Sequence, residues 1–260
     1  MKKNRHILLT VCIVLICAVM AFCVFMIFRK TAPHRESVKT YELLSEEYCP
    51  HGGISAKTTD AAESRDPEEG TEPTGEKDEG NPEIVRLCAD YPNAVGWLTI
   101  PNTAVDYPFA HSKDNVDFLH AGLDGKYLFD GTLFLDCHCA PDFSDQNSII
   151  YGHNMNTGNA MFQSLNLFKD KEFFEKNTAA YIYLPDRTLE LETFALLIVD
   201  AVHEEQLYNR ELRDDYIQYV SEHAKYFREA PAEGERIITL STCSYEFSDA
   251  RLVLLCRIKN

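Results

Sequence analysis

The sequence predicts a mainly β fold, an antiparallel barrel or sandwich with helical insertions. Three observations predict it. Beyond residue 80 the chain is a succession of short strand-like segments with few helical ones. The longest, Thr188–Val202, alternates at Leu189, Leu191, Thr193 and Ala195 and then becomes continuously apolar, as a half-buried strand entering a core does. Hydrophobic residues make up 45% of the 260 and charged residues 25%, with only 12 Gly and 11 Pro. That composition can bury a core and excludes a disordered, collagen-like or low-complexity chain. The length suits one domain with extensions, or two small ones.

The first element is an unbroken run from Ile7 to Phe28 without charge, Pro or Gly. At about 1.5 Å per helical residue it is about 33 Å long, enough for a bilayer core. A cleaved signal peptide has a shorter apolar region ending at a small-x-small site, and none is evident near Ala21 or Ala32. The expectation is a cytoplasmic tail (1–6), a single transmembrane anchor (7–28) and a location in the cell membrane. Lys2, Lys3 and Arg5 nearly balance Arg29, Lys30, Arg35 and Lys39, so the positive-inside count decides little. The short tail favours N-inside, with the rest of the chain exported.

Residues 29–83 read as an extracytoplasmic stalk and linker. Arg35–Tyr48 suits a short helix with Val38, Tyr41, Leu43 and Leu44 roughly on one side. Asp60–Glu83 is rich in Asp, Glu, Gly, Pro and Thr and nearly empty of large apolar residues. It cannot offset its ordering entropy and reads as a disordered tether.

The folded unit, 84–260, opens with a helix started by Asn81-Pro82-Glu83 and running to Asp90. Strands follow at 96–100, 104–109, 132–135, 148–151, 179–184 and 188–202. In 209–228, Leu212, Tyr216, Tyr219, Val220, His223 and Phe227 recur at helical spacing and predict one amphipathic helix. Strands at 236–242 and 252–258 close the chain. All 41 acidic residues lie beyond residue 30, against 20 of the 25 basic ones. Such a surface repels phosphate backbones and excludes a nucleic-acid partner.

The chemistry points to one cysteine. Thr239-Leu240-Ser241-Thr242-Cys243 ends a predicted strand, and the next begins near Arg251. A hairpin would set Cys243 beside Arg251. A guanidinium favours a thiolate and can stabilise an oxyanion. A proton carrier is then needed, and His153 in Tyr151-Gly152-His153-Asn154-Met155 lies just past a buried-looking strand. By spacing alone the bland readings win: a buried thiol, a satisfied histidine, and an arginine paired with Asp249 or Glu246. Of the other cysteines among the nine, Cys12, Cys17 and Cys23 sit in the apolar run. Cys137-His138-Cys139 is half a metal site without a second pair at zinc spacing, so no metal is assigned. The count leaves disulfides among Cys49, Cys88, Cys137, Cys139 and Cys256 open.

The residues around the three groups change the balance. Thr-Leu-Ser-Thr-Cys with Arg eight positions on, and Tyr-Gly-His-Asn-Met upstream, resembles the sortases. Val95–Pro101, Val105-Asp106-Tyr107-Pro108, Asp124–Tyr127 and Gly131–Asp136 resemble the class B branch, as does a long helix between strands six and seven. The resemblance covers about 84–260. It implies a closed eight-stranded β-barrel with peripheral helices, a membrane-anchored layout, and a triad of His153, Cys243 and Arg251. It also suggests substrate-groove residues Asn115, Leu119, Tyr151, Ser241 and Ser244, and no cofactor. The implied partners are exported proteins with a C-terminal sorting signal, a peptidoglycan amine and the membrane. Cys243 would attack a Thr carbonyl, form a thioacyl-enzyme and pass the acyl group to that amine. Alternatives are a pilin-polymerising sortase, which usually carries a lid and a second span, and a non-enzymatic acidic wall-proximal module. The Cys-Gly-x-Cys-Trp of papain-like proteases and the Ser-His-Gly-Cys of L,D-transpeptidases are absent.

Overall fold

In a computed structural model the described residues are 2–50, 80–155, 160–202 and 204–259, with side chains described from residue 15 onward except at 24, 27, 28 and 30. Most of the expected tether, residues 60–79, lies outside them. The elements are α1 (Lys2–Tyr48), α2 (Pro82–Asp90), β1 (Ala94–Thr99), β2 (Asp106–His111), β3 (Leu133–Leu135), β4 (Asn147–Tyr151), α3 (Lys171–Lys176), β5 (Ala179–Tyr183), β6 (Thr188–Asp200), α4 (Tyr216–His223), β7 (Tyr226–Phe227), β8 (Ile237–Cys243) and β9 (Ala250–Ile258).

Eight strands close into a barrel in the order β5-β1-β2-β3-β4-β8-β9-β6, with β6 pairing back onto β5; β7 adds two residues outside β6. The expected barrel is therefore present, but it is mixed. The β2–β3 and β4–β8 pairs are parallel. Parallel neighbours need long crossovers rather than tight turns, and here residues 112–132 and 152–236 supply them. Closure removes exposed sheet edges.

The interior is packed by Leu98, Phe109, Ile150, Ile182, Leu240, Leu254 and their neighbours. Trp97 of β1 is fully buried, and its indole N–H donates to Asp106 Oδ1 at 2.7 Å. Trp97→Ala should lower stability by about 3–5 kcal/mol, measured by denaturant unfolding of the otherwise unchanged chain. A second apolar layer lies outside the sheet. Ile237, Val253, Leu255 and Leu197 face Leu207, Tyr216 and Val220.

Two helical expectations change in length. The predicted 209–228 helix is the eight-residue α4, preceded by a 3-10 turn at Glu205–Tyr208. Tertiary hydrogen bonds take the flanking backbone. The Arg210 carbonyl accepts from Asn147 N, Leu212 N donates to Gln146 Oε1, and Tyr226 and Phe227 pair with β6.

The predicted 35–48 helix is the end of α1, a single helix of 47 residues. Its buried face is Ser37, Tyr41, Leu44 and Tyr48, whereas Val38 and Leu43 are exposed. Tyr48 donates to Asp90 Oδ2 at 2.7 Å and seats the helix end on α2.

The anchor is corrected. Among the described residues no helix is long and apolar enough to cross a membrane. Among the described side chains of α1, Leu15, Ile16, Val19, Met20, Phe22, Phe25 and Met26 are exposed, and beyond Arg29 the same helix becomes polar and docks. The transmembrane segment, the single-pass cell-membrane location with N-terminus inside, and the membrane as a partner are accordingly withdrawn.

Candidate active site

The site is built by strand register. Tyr151 of β4 lies opposite Ser241 of β8 in the parallel pair. The pairing continues past β4: Gly152 N donates to Ser241 O at 3.2 Å, and Thr242 Oγ1 donates to Gly152 O at 2.7 Å. Asn154 Nδ2 then donates to the Cys243 carbonyl at 2.7 Å. On the other side of β8, Cys243 lies opposite Arg251 in the antiparallel pair. His153, two residues past Tyr151, and Cys243, two past Ser241, thus end adjacent strands, with Arg251 across the hairpin. All three residues are partly exposed.

Strand alternation sets the face. Cys243 shares its side of β8 with Ile237, Thr239 and Ser241, and Arg251 shares its side of β9 with Val253 and Leu255. This is the outer layer under the 205–220 segment. Tyr208, from the 3-10 turn of that segment, closes over the row. Its hydroxyl lies 3.2 Å from Ser241 Oγ, and its ring stacks on Tyr151 at 6.2 Å. Burial pushes the Tyr208 hydroxyl up, while the Ser241 bond and the Arg251 charge pull it down and Cys243 pushes it further up.

The His153 ring is held on two sides. Nε2 lies 2.7 Å from the Leu119 carbonyl. A carbonyl only accepts, so Nε2 carries the proton and Nδ1 is the ring nitrogen left for proton exchange. His120 stacks on the ring at 5.3 Å, with its own Nδ1 donating to Phe129 O at 3.0 Å.

The suggested groove residues have distinct surroundings. Leu119, Tyr151 and Ser241 border the row directly. Asn115 sits at φ 61° and spends its amide within the protein, donating to Asp136 Oδ2 at 2.7 Å and accepting from Cys137 N at 2.8 Å. Asp136 also accepts from the Tyr151 hydroxyl at 3.0 Å, which links Asn115 to the row. Ser244 is buried in the β8–β9 loop and engages Lys169 and Glu246. Tyr208 and His120 lie in none of the motifs quoted above, and Asp136 ends the Gly131–Asp136 segment without a role attached to it.

The β8–β9 loop carries a titratable clamp. Lys169 Nζ is 2.5 Å from Glu246 Oε1. Burial raises the Glu246 carboxyl, but the Lys169 and Ser244 hydrogen bonds outweigh it and hold the group at about 2, below its usual 4.5. A value lowered in the folded state means the clamp contributes above about 4.5 and is lost as pH falls toward about 2. Amide exchange at Ser244 and Tyr245 should accelerate over that window, ahead of exchange in β8.

A second thiol–imidazole pair lies close by. Cys137 Sγ is 3.3 Å from His138 Nδ1, and Asp136, Cys137 and His138 group their donor atoms within 4.8 Å. Cys139 is apart from them, buried with its sulfur 3.8 Å from Asn147 O. Burial and the Asp136 carboxylate push the Cys137 thiol up, which disfavours the nucleophilic thiolate.

A closed mixed barrel with a thiol, an imidazole and a guanidinium on one rim has the make-up of a cysteine transpeptidase. Residues 98–259 match the sortase domain family. The chain is 36% identical over 166 residues to sortase B of Listeria monocytogenes, spanning 62% of this chain and 67% of that protein. A Streptococcus pyogenes class B sortase involved in pilus biogenesis superposes with a TM-score of 0.62 at 27% identity, covering 67% of this chain and 97% of that one. Sortase B of Bacillus anthracis shares the fold at a TM-score of 0.66 and 23% identity, over 87% of this chain and 98% of that one. The chain belongs to the sortase family, in its class B branch, and is a sortase-type cysteine transpeptidase.

Proposed function

We propose that the catalytic domain is residues 84–260 and that it cleaves a C-terminal sorting signal on exported proteins at a Thr carbonyl, then transfers the new C-terminus to a peptidoglycan amine. The Cys243 sulfur attacks the carbonyl carbon and forms a tetrahedral oxyanion, stabilised by Arg251 and backbone N–H groups. His153 protonates the departing amine, and the C–N bond breaks to leave a thioester on Cys243. The acceptor amine attacks that thioester, His153 takes its proton, and Cys243 leaves as the thiolate. Leu119, Tyr151 and Ser241, together with Asn115 and Ser244, are read as lining the peptide groove.

The observation that carries this reading is the shared register of β4, β8 and β9, which sets His153, Cys243 and Arg251 in one row. A pilin lysine as the acceptor is a second reading, favoured by likeness to the S. pyogenes enzyme of pilus biogenesis. The test incubates the full chain with a panel of Asn-Pro-x-Thr-type peptides and identifies the cleaved bond by mass spectrometry. Cleavage after Thr supports the reading; no cleavage of any panel member, or cleavage elsewhere, defeats it. Adding glycine-type and lysine-type acceptors separates the two readings. Arg251→Ala should lower kcat about 10²–10³-fold, and Arg251→Lys should recover only part of that, because an ammonium lacks the fork of donors.

A further inference from the structure

The docked end of α1 reaches toward the His153 ring through a short chain of contacts. His34 Nδ1 lies 2.5 Å from Asp130 Oδ2, and the Asp130 carboxylate is almost fully buried. Ser37, also buried, accepts from Asp130 N at 3.2 Å. Tyr41 donates its hydroxyl to the Gly131 carbonyl at 2.5 Å and lies 3.0 Å from Thr132 Oγ1. Three consecutive turns of one helix therefore grip three consecutive residues, 130–132.

That strap presses on the residues before His120. Thr132 N donates to Phe118 O at 3.0 Å. Gly131, at φ +61°, lies so close that an added Cβ would stand 2.4 Å from the Leu119 carbonyl oxygen. Leu119 O is the atom that holds His153 Nε2. Burial pushes the Asp130 carboxyl up, against the pull of His34 and, more weakly, of His153.

We propose that the docked half of the N-terminal helix, through His34 and Tyr41, is a positioning element for the His153 imidazole, acting through the 130–132 strap and the Leu119 carbonyl. The proposal rests on the reading of His153 as the proton carrier. Tyr41 and His34 touch no substrate; they fix the acceptor that sets the ring's tautomer and aim. A ring misplaced by about 1 Å can cost up to about 10²-fold in rate.

The test uses the full chain. Tyr41→Phe removes the donor to Gly131 and should lower kcat about tenfold on the panel peptide cleaved fastest, with KM within about twofold. The same variant should shift the His153 Nε2–H resonance and speed its solvent exchange. His34→Leu should act alike, and His34→Gln, which keeps a donor for Asp130, should recover most of the loss. Tyr48→Phe loses the Asp90 bond elsewhere on the docked helix and should leave both readouts at wild type. Thermal melts establish that each variant is folded. A folded Tyr41→Phe chain with wild-type kcat and Nε2–H exchange overturns the proposal. So does a Tyr48→Phe chain impaired to the same degree, because docking in general would then be responsible. The resonance is read without substrate, so a chain that cleaves no peptide defeats the functional reading while the positioning test still gives its answer.

Discussion

Cys243→Ala is expected to abolish sorting-peptide cleavage, with a loss of about 10⁴-fold or more and an unchanged fold. The sulfur is the proposed acyl carrier, so its removal deletes a covalent step. The substitution is sterically mild. Cys243 is partly exposed at the strand end, and its backbone contacts, the pairing with Arg251 and the Asn154 bond to its carbonyl, do not involve the sulfur. Stability should therefore stay within about 1 kcal/mol of wild type. Cys137→Ala is the matched control. Its thiol is pushed toward the protonated form, and its loss should leave cleavage intact. Residual cleavage by Cys243→Ala that vanishes in the double variant would transfer the nucleophile's role to Cys137.

His153→Ala is expected to lower kcat by about 10³-fold, the usual scale for losing a positioned proton carrier. The effect should fall on kcat more than on KM, because the imidazole acts on the departing and arriving amines rather than on the bound peptide. A His153→Ala chain that keeps wild-type kcat would show that another group carries the proton, and His120, stacked on the ring, would be the first to examine.

Much of the barrel is written locally. The alternation in 188–200 and the short apolar segments on either side mark the strands to within two or three residues, because period two is forced wherever one face of a strand is buried. The parallel pairing of β4 with β8 is not written locally. Its partners, Tyr151 and Ser241, are far apart in the chain, and their pairing depends on the barrel closing. Leu212 and Phe227 fit a helical stripe with α4, yet both lie outside it, since hydrogen bonds to Gln146, Asn147 and β6 claim the neighbouring backbone. The apolar run at 7–28 invited a separate anchor. The structure instead continues it into the helix whose far end docks on the barrel.

At the site, the neighbouring placement of His153, Cys243 and Arg251 is legible because each stands in or beside a short motif at a strand end. The resemblance suggests Leu119 as a groove residue, and its carbonyl is the atom that meets His153. No side-chain pattern reports a backbone contact of that kind. Tyr208 enters from a turn 89 residues beyond Leu119 and shows its place only once the outer layer has packed.

The proposed mechanism requires the Cys243 sulfur to carry the acyl group. The direct measurement is the intact mass of the full chain after incubation with the fastest panel peptide in the absence of an amine acceptor, followed by peptide mapping. The expected product is an adduct of the peptide through its Thr residue, joined as a thioester at Cys243 and released by hydroxylamine. An adduct at another cysteine, or turnover that persists unchanged in Cys243→Ala, would contradict it.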